Sequence, residues 1–300
     1  MYLEHFGLRE APFTLTPDTE FFFNHGSHQE ALNVLLVALR AGEGFIKVTG
    51  EVGTGKTLLC RKLLNVLDDD VVTAYLPNPF LNPTALRMAL AEELDVAFAR
   101  NIGQHRLLKL IAERLVELSG AHKPVVLLLD EAQAMPDESL EALRLLTNLE
   151  TEKSKLMQVV LFGQPELDTR LARRSLRQLR QRIAFSYRLE PLSRRTLVEY
   201  VQHRLQVAGH QGSALFSDAA IGRLHRSSSG IPRLVNLLCH KALMAAYGAG
   251  DSKVGVRHVG RAATDTEDAR QGKPGWLALA SGLAGLIALT SAGLIYAYGP

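Results

Sequence analysis

The sequence predicts an α/β fold built on a parallel sheet, and three observations support that prediction. Apolar runs typical of strands alternate with stretches that repeat apolar residues at helical spacing. One run, Val125–Leu129, is continuously apolar, as expected of a central strand that is buried on both faces. A glycine-rich stretch, residues 50–57, separates a predicted strand from a predicted helix. A sheet of this kind binds ligands at the carboxyl ends of its strands.

Length and composition are those of an ordinary globular chain. The 300 residues allow one large or two modest domains, with 47% hydrophobic and 22% charged residues. The net charge of +3 is too small to indicate a nucleic-acid partner by itself. Cys60 and Cys239 lie in apolar helical patterns, which favours buried hydrophobic residues over a disulfide or a metal site. We expect a reducing cytoplasm around this body, and no cleavable signal peptide.

Predicted strands and helices alternate along the first two thirds of the chain. The strands are predicted over 45–49, 71–76, 125–129, 156–162 and 183–189. The helices between them are predicted over 28–40, 58–67, 83–97, 104–118 and 140–149. Beyond Pro191 only helical patterns remain, over 193–207, 217–227 and 231–246. We therefore predict an α/β domain over 1–190, a small helical domain over 191–263 and a polar linker over 264–275.

Residues 1–24 are rich in aromatic side chains and prolines. One interpretation is a strap that packs on the core, and the other is a wall for an adenine ring beside the glycine-rich stretch. Buried aromatic rings suit both interpretations equally.

The glycine-rich stretch fits G-x-x-x-x-G-K-[ST], the pattern of a phosphate-binding loop. Its residues, with the first of the following helix, are Gly50, Glu51, Val52, Gly53, Thr54, Gly55, Lys56, Thr57 and Leu58. The glycines allow backbone N–H groups to turn toward a phosphate chain, and the helix adds its positive end. Lys56 is expected to reach the β- and γ-phosphates and Thr57 to hold Mg²⁺, so the predicted ligand is Mg-ATP.

Two acidic residues and one amide follow the next two strands of the predicted sheet. Asp130 is expected to help hold the metal, and Glu131 to activate the water that attacks the γ-phosphate. Gln164 either contacts the γ-phosphate or that water, or only bonds a loop; its position favours the site. Asn78, after the second strand, either restrains Glu131 or serves a turn, which is the commoner use of asparagine beside proline.

Arginines cluster before and within the last strand. They are Arg170, Arg173, Arg174, Arg177, Arg180, Arg182 and Arg188. Three interpretations compete: a solvated helix face, arginine fingers that reach a neighbouring subunit's γ-phosphate, or a nucleic-acid patch. Arg180 and Arg182 are the preferred fingers because they are closest to the strand. Arg233 opens a helix of the small domain, an unfavourable place for a cation without an anion, so we expect it to contact the nucleotide.

Residues 276–298 contain no charged residue over 23 positions. A helix of that length spans about 34 Å, enough for a hydrocarbon core of about 30 Å. Trp276, Tyr296 and Tyr298 lie at its ends, where interfacial aromatics are expected. A transmembrane helix is therefore predicted, with a buried or an interfacial helix as the alternative. Arg261, Arg270 and Lys273 precede it and favour a cytoplasmic location for the preceding domains.

Taken together, these features resemble the AAA+ ATPases, and more narrowly the general secretion pathway A (ExeA-type) family. The matching blocks are Phe6-Gly7-Leu8, Pro12-Phe13, residues 50–57, Asp130-Glu131-Ala132-Gln133, residues 161–167 and residues 178–183. The resemblance implies a three-layer AAA+ fold with a helical lid, and an ATP-dependent oligomer in the inner membrane. It also implies partners among inner-membrane pilus or secretion assembly proteins, as in the short pilus-biogenesis members. The predicted membrane helix argues against a nucleic-acid partner.

Two other functions remain open at this point. One is a DNA-bound ATPase switch of the transposition or origin-binding type, in which arginines of the helical domain meet phosphate. Those arginines are Arg194, Arg195, Arg223 and Arg226. The other is a nucleotide-gated scaffold that binds ATP and barely turns it over.

Overall fold

The computed structural model describes residues 2–24, 26–67, 70–99, 101–148 and 155–270. The strands are β1 (Phe45–Gly50), β2 (Val72–Leu76), β3 (Val125–Leu129), β4 (Gln158–Gly163) and β5 (Ile183–Leu189). The helices of the first part are α1 (Tyr2–His5), α2 (Ser27–Arg40), α3 (Lys56–Val66), α4 (Pro83–Glu93), α5 (Gln104–Gly120), α6 (Asp137–Leu146), α7 (Glu166–Leu171) and α8 (Arg177–Arg182). Those that follow are α9 (Arg194–Val207), α10 (Asp218–Ser228), α11 (Pro232–Gly248), α12 (Val256–Thr264) and α13 (Glu267–Arg270).

The strands form one parallel sheet in the order β2-β3-β4-β1-β5. The predicted parallel α/β sheet is therefore confirmed. Strand β1 pairs with β4 and β5, and not with β2, the strand that follows it in the sequence. Because all strands run the same way, the segments after β1, β3 and β4 meet at one edge of the sheet.

The sheet is covered by helices on both faces. In β3, Val125, Leu127 and Leu129 join a core with residues of α4, α5 and α6. The alternate residues Val126 and Leu128 join a second core with residues of α2 and α3. Successive side chains of a strand point to opposite faces, so a fully apolar strand fits only between two layers. The continuous apolar run in the sequence thus has its explanation in a three-layer arrangement.

A separate core holds the helical unit after β5 together. It contains buried residues of α9, α10, α11 and α12, and it also takes in Phe6, Phe13 and Phe21 from the N-terminal strap, residues 6–21. The aromatic side chains of the strap therefore pack on the helical unit. Helix α12 was not predicted from the sequence, and Ala269 of α13 is buried in the same core. The domain boundaries given above remain predictions.

Within the described ranges, none of the helices is both long and apolar enough to cross a membrane. The predicted transmembrane segment, residues 276–298, and the predicted linker from residue 271 onward lie outside the described residues.

Candidate nucleotide site

The glycine-rich loop joins β1 to the first turn of α3. Gly53 and Gly55 have φ angles of +81° and +98°, which side chains on Cβ rarely tolerate. Lys56 is the first residue of α3, and its Nζ donates to the carbonyl oxygens of Gly50 at 2.8 Å and Glu51 at 2.9 Å. Burial lowers the pKa of Lys56, while the carboxylates of Glu131 and Asp130 act in the opposite direction. The loop thus surrounds a buried cation, as a site for phosphate requires.

A histidine of α2, which the sequence analysis missed, packs against this loop and holds it by a hydrogen bond. His28 of α2 is buried, and its Nε2 lies 2.7 Å from the carbonyl oxygen of Thr54. Burial lowers the pKa of His28, so the ring is neutral and its Nε2–H donates to that carbonyl. A Cβ on Gly55 would lie 2.8 Å from the same Nε2, so only glycine fits there. No local pattern marks His28, because its role depends on α2 packing under the loop.

Thr57 and Asp130 lie side by side at the end of the sheet. The Thr57 hydroxyl donates to Asp130 Oδ2 at 2.6 Å, and the Glu131 backbone N–H donates to Asp130 Oδ1 at 2.9 Å. Burial raises the pKa of Asp130, and these two hydrogen bonds oppose that rise. Among the described residues, no group of three or more His, Cys, Asp or Glu side chains could hold a metal ion. One hydroxyl and one carboxylate suit Mg²⁺, which takes few protein ligands and completes its shell with phosphate and water.

Glu131 is held by two amide side chains. Gln133 Nε2 donates to Glu131 Oε2 at 2.5 Å, and Gln164 Nε2 donates to the same oxygen at 3.1 Å. Gln133 was not predicted as part of the site. The Asn78 side chain instead accepts from the Phe80 backbone N–H at 3.4 Å, which is a turn contact. The structure thus brings Glu131 and Gln164 together.

The helical unit touches the loop through the first turn of α11. The Arg233 backbone N–H donates to the carbonyl oxygen of Gly53 at 3.1 Å. A helix leaves its first N–H groups without intrahelical partners, and Ile231 at the N-cap makes no side-chain hydrogen bond. The loop carbonyl therefore supplies a cap for α11. Arg233 thus lies at the loop, and its contact with a nucleotide stays a prediction.

A cavity of about 330 Å³ lies between the sheet edge and the helical unit. One end is lined by the loop residues 52–53 and 55–58 together with Glu131, Gln164 and Arg233. The other end is lined by strap residues 14–18 and by Tyr200, Arg204 and Asn236. The volume is in the range of ligand pockets. The strap forms part of the wall with residues 14–18, while its phenylalanines are buried in the helical unit.

The arginine cluster divides into separate environments. Arg170 and Arg173 pair with Asp137, and the hydrogen bond from Arg170 is the main cause that lowers the pKa of Asp137. Arg182 is exposed, with Nη1 at 3.4 Å from Thr147 Oγ1. Arg180 is also exposed. Neither of these two lines the cavity of its own chain, so their predicted role in a neighbouring subunit stays a prediction.

The fold and this site together define a class of protein. A parallel sheet with a phosphate-binding loop after β1, and an Asp-Glu pair after β3, has the parts of a P-loop ATPase. A family model of an AAA domain matches residues 39–171. Residues 39–171 are therefore an AAA domain, and the chain carries the parts of an ATP hydrolase.

The comparison with known proteins adds a relative in bacterial secretion. General secretion pathway protein A of Aeromonas hydrophila is 45% identical over 254 residues. The alignment covers 85% of this chain and 46% of that relative, so the chain spans less than half of its length. The predicted resemblance to the general secretion pathway A family is therefore confirmed as sequence similarity over the 254 aligned residues.

The comparison with solved structures gives proteins that share this fold. Cdc6p of Pyrobaculum aerophilum aligns with a TM-score of 0.61 at 19% identity, over 80% of this chain and 68% of that chain. The ORC1 protein of Aeropyrum pernix, solved in complex with DNA, gives 0.60 at 19% identity, over 85% and 69%. A Walker-type ATPase of Pyrococcus abyssi gives 0.59 at 17% identity, over 95% and 81%. At these identities the likeness shows the fold alone.

Proposed function

We propose that this chain is a membrane-anchored AAA ATPase that hydrolyses Mg-ATP to drive assembly of a pilus or of a type II secretion-like machine. The similarity to General secretion pathway protein A supports a role in secretion or in a related assembly process. The observation that carries the proposal is the set of residues that line the cavity at the glycine-rich loop. There Lys56, Glu131 and Arg233 line one space beside the Thr57–Asp130 pair.

Nucleotide binding is assigned to the loop and its neighbours. Lys56 and the loop N–H groups of residues 50–57 neutralise phosphate, and Leu58 lines the cavity one step beyond. A bound Mg²⁺ would supply positive charge against the phosphate oxygens. Thr57 and Asp130 are the side chains that would hold it, because their oxygens already lie within 2.6 Å of each other.

Hydrolysis is assigned to groups at the phosphate end of the cavity. Glu131 accepts a proton from the attacking water, since it is the carboxylate that faces the cavity beside Lys56. Gln164 and Arg233 line the same end and are assigned to the γ-phosphate. Arg180 and Arg182 are assigned to the neighbouring subunit's site, because both are exposed and outside the cavity of their own chain.

Membrane anchoring is assigned to residues 276–298. The support is the uncharged run of 23 residues and the basic residues before it. In this arrangement the ATPase stays in the cytoplasm at the inner membrane and meets its assembly partners there. Small residues four apart, such as Ala278 and Gly282, allow two such helices to approach closely and favour self-association.

The catalytic part of the proposal is tested with two variants of the full chain. Lys56→Ala should lose ATP binding, because the loop then lacks its buried cation. Glu131→Gln should bind ATP with near wild-type affinity and fail to cleave it. Binding is measured with a fluorescent ATP analogue, and cleavage by release of inorganic phosphate. Wild-type turnover by the Glu131→Gln protein would remove Glu131 from the mechanism.

The anchoring part is tested by ending the chain after Gly272 and fractionating cells. The full chain should sediment with membranes after a high-salt wash, and the shortened chain should not. If the shortened chain remains with the membranes, residues 276–298 are not the anchor. A C-terminal reporter that is active only in the cytoplasm would contradict the proposed orientation.

A second candidate function is a DNA-bound ATPase switch, and one observation favours it. Arg194, Arg195, Arg223 and Arg226 are all exposed, at the start of α9 and along α10. Such a surface would bind the DNA backbone with an affinity that falls steeply with salt. Filter binding of duplex DNA to the chain that ends after Gly272, at several salt concentrations, separates the two functions. Tight, salt-dependent binding would favour the switch.

A further inference from the structure

The two oxygens of the Glu131 carboxylate have different surroundings. Oε2 accepts the amide N–H groups of both Gln133, at 2.5 Å, and Gln164, at 3.1 Å. Oε1 has no hydrogen-bond partner within the described ranges, and the Glu131 side chain lines the cavity. One oxygen is thus fixed by the protein, and the other is left to a solvent molecule.

Gln133 is itself fixed on two sides. Its Oε1 accepts the Gln164 backbone N–H at 2.9 Å, which orients the amide so that its nitrogen faces Glu131. Its backbone carbonyl oxygen accepts Arg170 Nη1 at 2.5 Å, and Arg170 is also paired with Asp137. An amide held at its oxygen and at its own backbone has little freedom to turn away. The donor that contacts Glu131 is therefore preorganised.

The backbone at Glu131 also needs these contacts. Glu131 has φ of 54° and ψ of 37°, in the left-handed region that a glutamate rarely adopts. A residue stays in this region only when the surrounding structure over-determines it, and such residues cluster at functional sites. The bonds from Gln133 and Gln164 to the side chain, and from the Glu131 N–H to Asp130, supply that constraint.

We propose that Gln133 is the positioning residue of Glu131: it holds Oε2 so that Oε1 faces the attacking water. The inference rests on the proposed role of Glu131 as the base. Gln133 does not line the cavity in the described part of the chain, so it acts through Glu131. Gln164 differs, because it lines the cavity and can exchange its bond to Glu131 for one to phosphate. Gln133 then remains as the donor that keeps the base in place.

The test uses two substitutions of Gln133 in the full chain. Gln133→Met keeps the length of the side chain and removes the amide. We expect kcat to fall about 10- to 100-fold, less than the roughly 10²–10⁴-fold that a positioned general base contributes as a whole, because Glu131 itself remains. KM for ATP should stay within about twofold, because Gln133 does not touch the cavity.

Gln133→Glu gives an independent signature. At neutral pH the introduced carboxylate faces the carboxylate of Glu131 and should lower kcat more than methionine does. As the pH falls and the introduced group takes up a proton, it becomes a donor again and part of the rate should return. A residue with only a structural role would not produce this recovery. If neither variant changes kcat or its pH dependence, or if kcat falls with a proportional change in KM, the inference is overturned.

Arginine variants provide the matched controls. Arg170→Ala removes the bond to the Gln133 carbonyl and should lower kcat in the same direction as Gln133→Met, by a smaller factor. Arg173→Ala removes only an exposed contact to Asp137 at 3.3 Å and should leave kcat unchanged. Glu131→Gln distinguishes a failure of the proposed function from a failure of this inference alone. If it hydrolyses ATP normally, the proposed function fails; if it is inactive while both Gln133 variants are normal, only this inference fails.

Discussion

The contact between Gly53 and α11 allows the docking of the helical unit on the loop to be measured directly. A Cβ on Gly53 would lie 2.7 Å from Arg233 Cβ and 3.2 Å from Ile231 Cγ2. Neither atom is the far end of a flexible side chain, so Gly53→Ala must push the first turn of α11 away. Gly42 offers a matched control, because it has φ of +76° and nothing within 4 Å of its Cβ position.

The expected magnitude follows from these two environments. Alanine in the left-handed region costs about 1–2 kcal/mol at either glycine. At Gly53 the displacement also removes the hydrogen bond from the Arg233 N–H to the Gly53 carbonyl, worth about 0.5–1.5 kcal/mol. The docked arrangement should therefore lose about 0.5–1.5 kcal/mol more in Gly53→Ala than in Gly42→Ala, a factor of about 2–13 in its population.

Hydrogen exchange at the Arg233 amide is the assay, because that N–H makes the contact. In Gly53→Ala its exchange should be about 2–13 times faster than in the wild type, while Gly42→Ala leaves it unchanged. ATP binding by itself would not decide the matter, since Gly53 also belongs to the phosphate loop. If Gly53→Ala weakens ATP binding and the Arg233 amide keeps wild-type protection, the loop does not hold α11 as described.

Three further predictions use the same structure. Burial lowers the pKa of His28, so the contribution of the neutral ring to folding stability is complete above the ordinary histidine pKa of about 6.5 and is lost as the pH falls below that value. Thermal melts over this pH range should show the loss of stability, and His28→Leu should reduce this pH dependence. Gly230→Ala should lower stability by at least about 2 kcal/mol in denaturant unfolding, because its Cβ would lie 2.1 Å from the Leu192 carbonyl oxygen at φ of +74°; an unchanged midpoint would contradict the turn geometry. Arg180→Ala or Arg182→Ala should cut hydrolysis with little loss of ATP binding, and mixing with Glu131→Gln should restore activity; full-rate hydrolysis by a strict monomer would refute the assignment in trans.

The parts of the site that the sequence predicted are those with a local signature. The loop over 50–57 and the Asp130-Glu131 pair combine fixed spacing with the strands before them, and both fall at the predicted edge of the sheet. The strands were also predictable, because runs such as Val125–Leu129 are apolar on both faces. Each of these features is formed by residues close together in the sequence, so a pattern within that stretch is enough to predict it.

The missed parts depend on contacts between distant segments. His28 lies 26 residues before the carbonyl it binds, and Gln164 lies 31 residues after Gln133. The position of β1 between β4 and β5 is likewise decided by packing of the whole sheet. Helix α12 was missed for another reason: it has only nine residues and contains Gly260, a residue of low helix propensity.

The strap explains how the two parts of the site are mechanically linked. Arg204 Nε of α9 donates to the Pro12 carbonyl oxygen at 2.5 Å, and Asn236 Nδ2 of α11 donates to the Thr14 carbonyl oxygen at 3.3 Å. A few residues later the strap is tied to α3, since Arg61 Nη1 donates to the Pro17 carbonyl oxygen at 3.0 Å. The bonds at Pro12 and Thr14 lie before and at the start of the segment that lines the cavity, and the bond at Pro17 lies near its end.

A rotation of the helical unit away from the sheet must therefore act on the strap. The strap is bonded to α9 and α11 at Pro12 and Thr14 and to α3 at Pro17, while Phe21 packs again in the core of the helical unit, so the rotation would strain residues 14–17 and the segment that follows them. Those residues, 14–17, lie in the wall of the cavity. The same rotation also breaks the bond from the Arg233 N–H to the Gly53 carbonyl oxygen at the opposite end. A nucleotide that contacts both ends would bind best when the unit is docked, which couples its binding energy to the position of the helical unit.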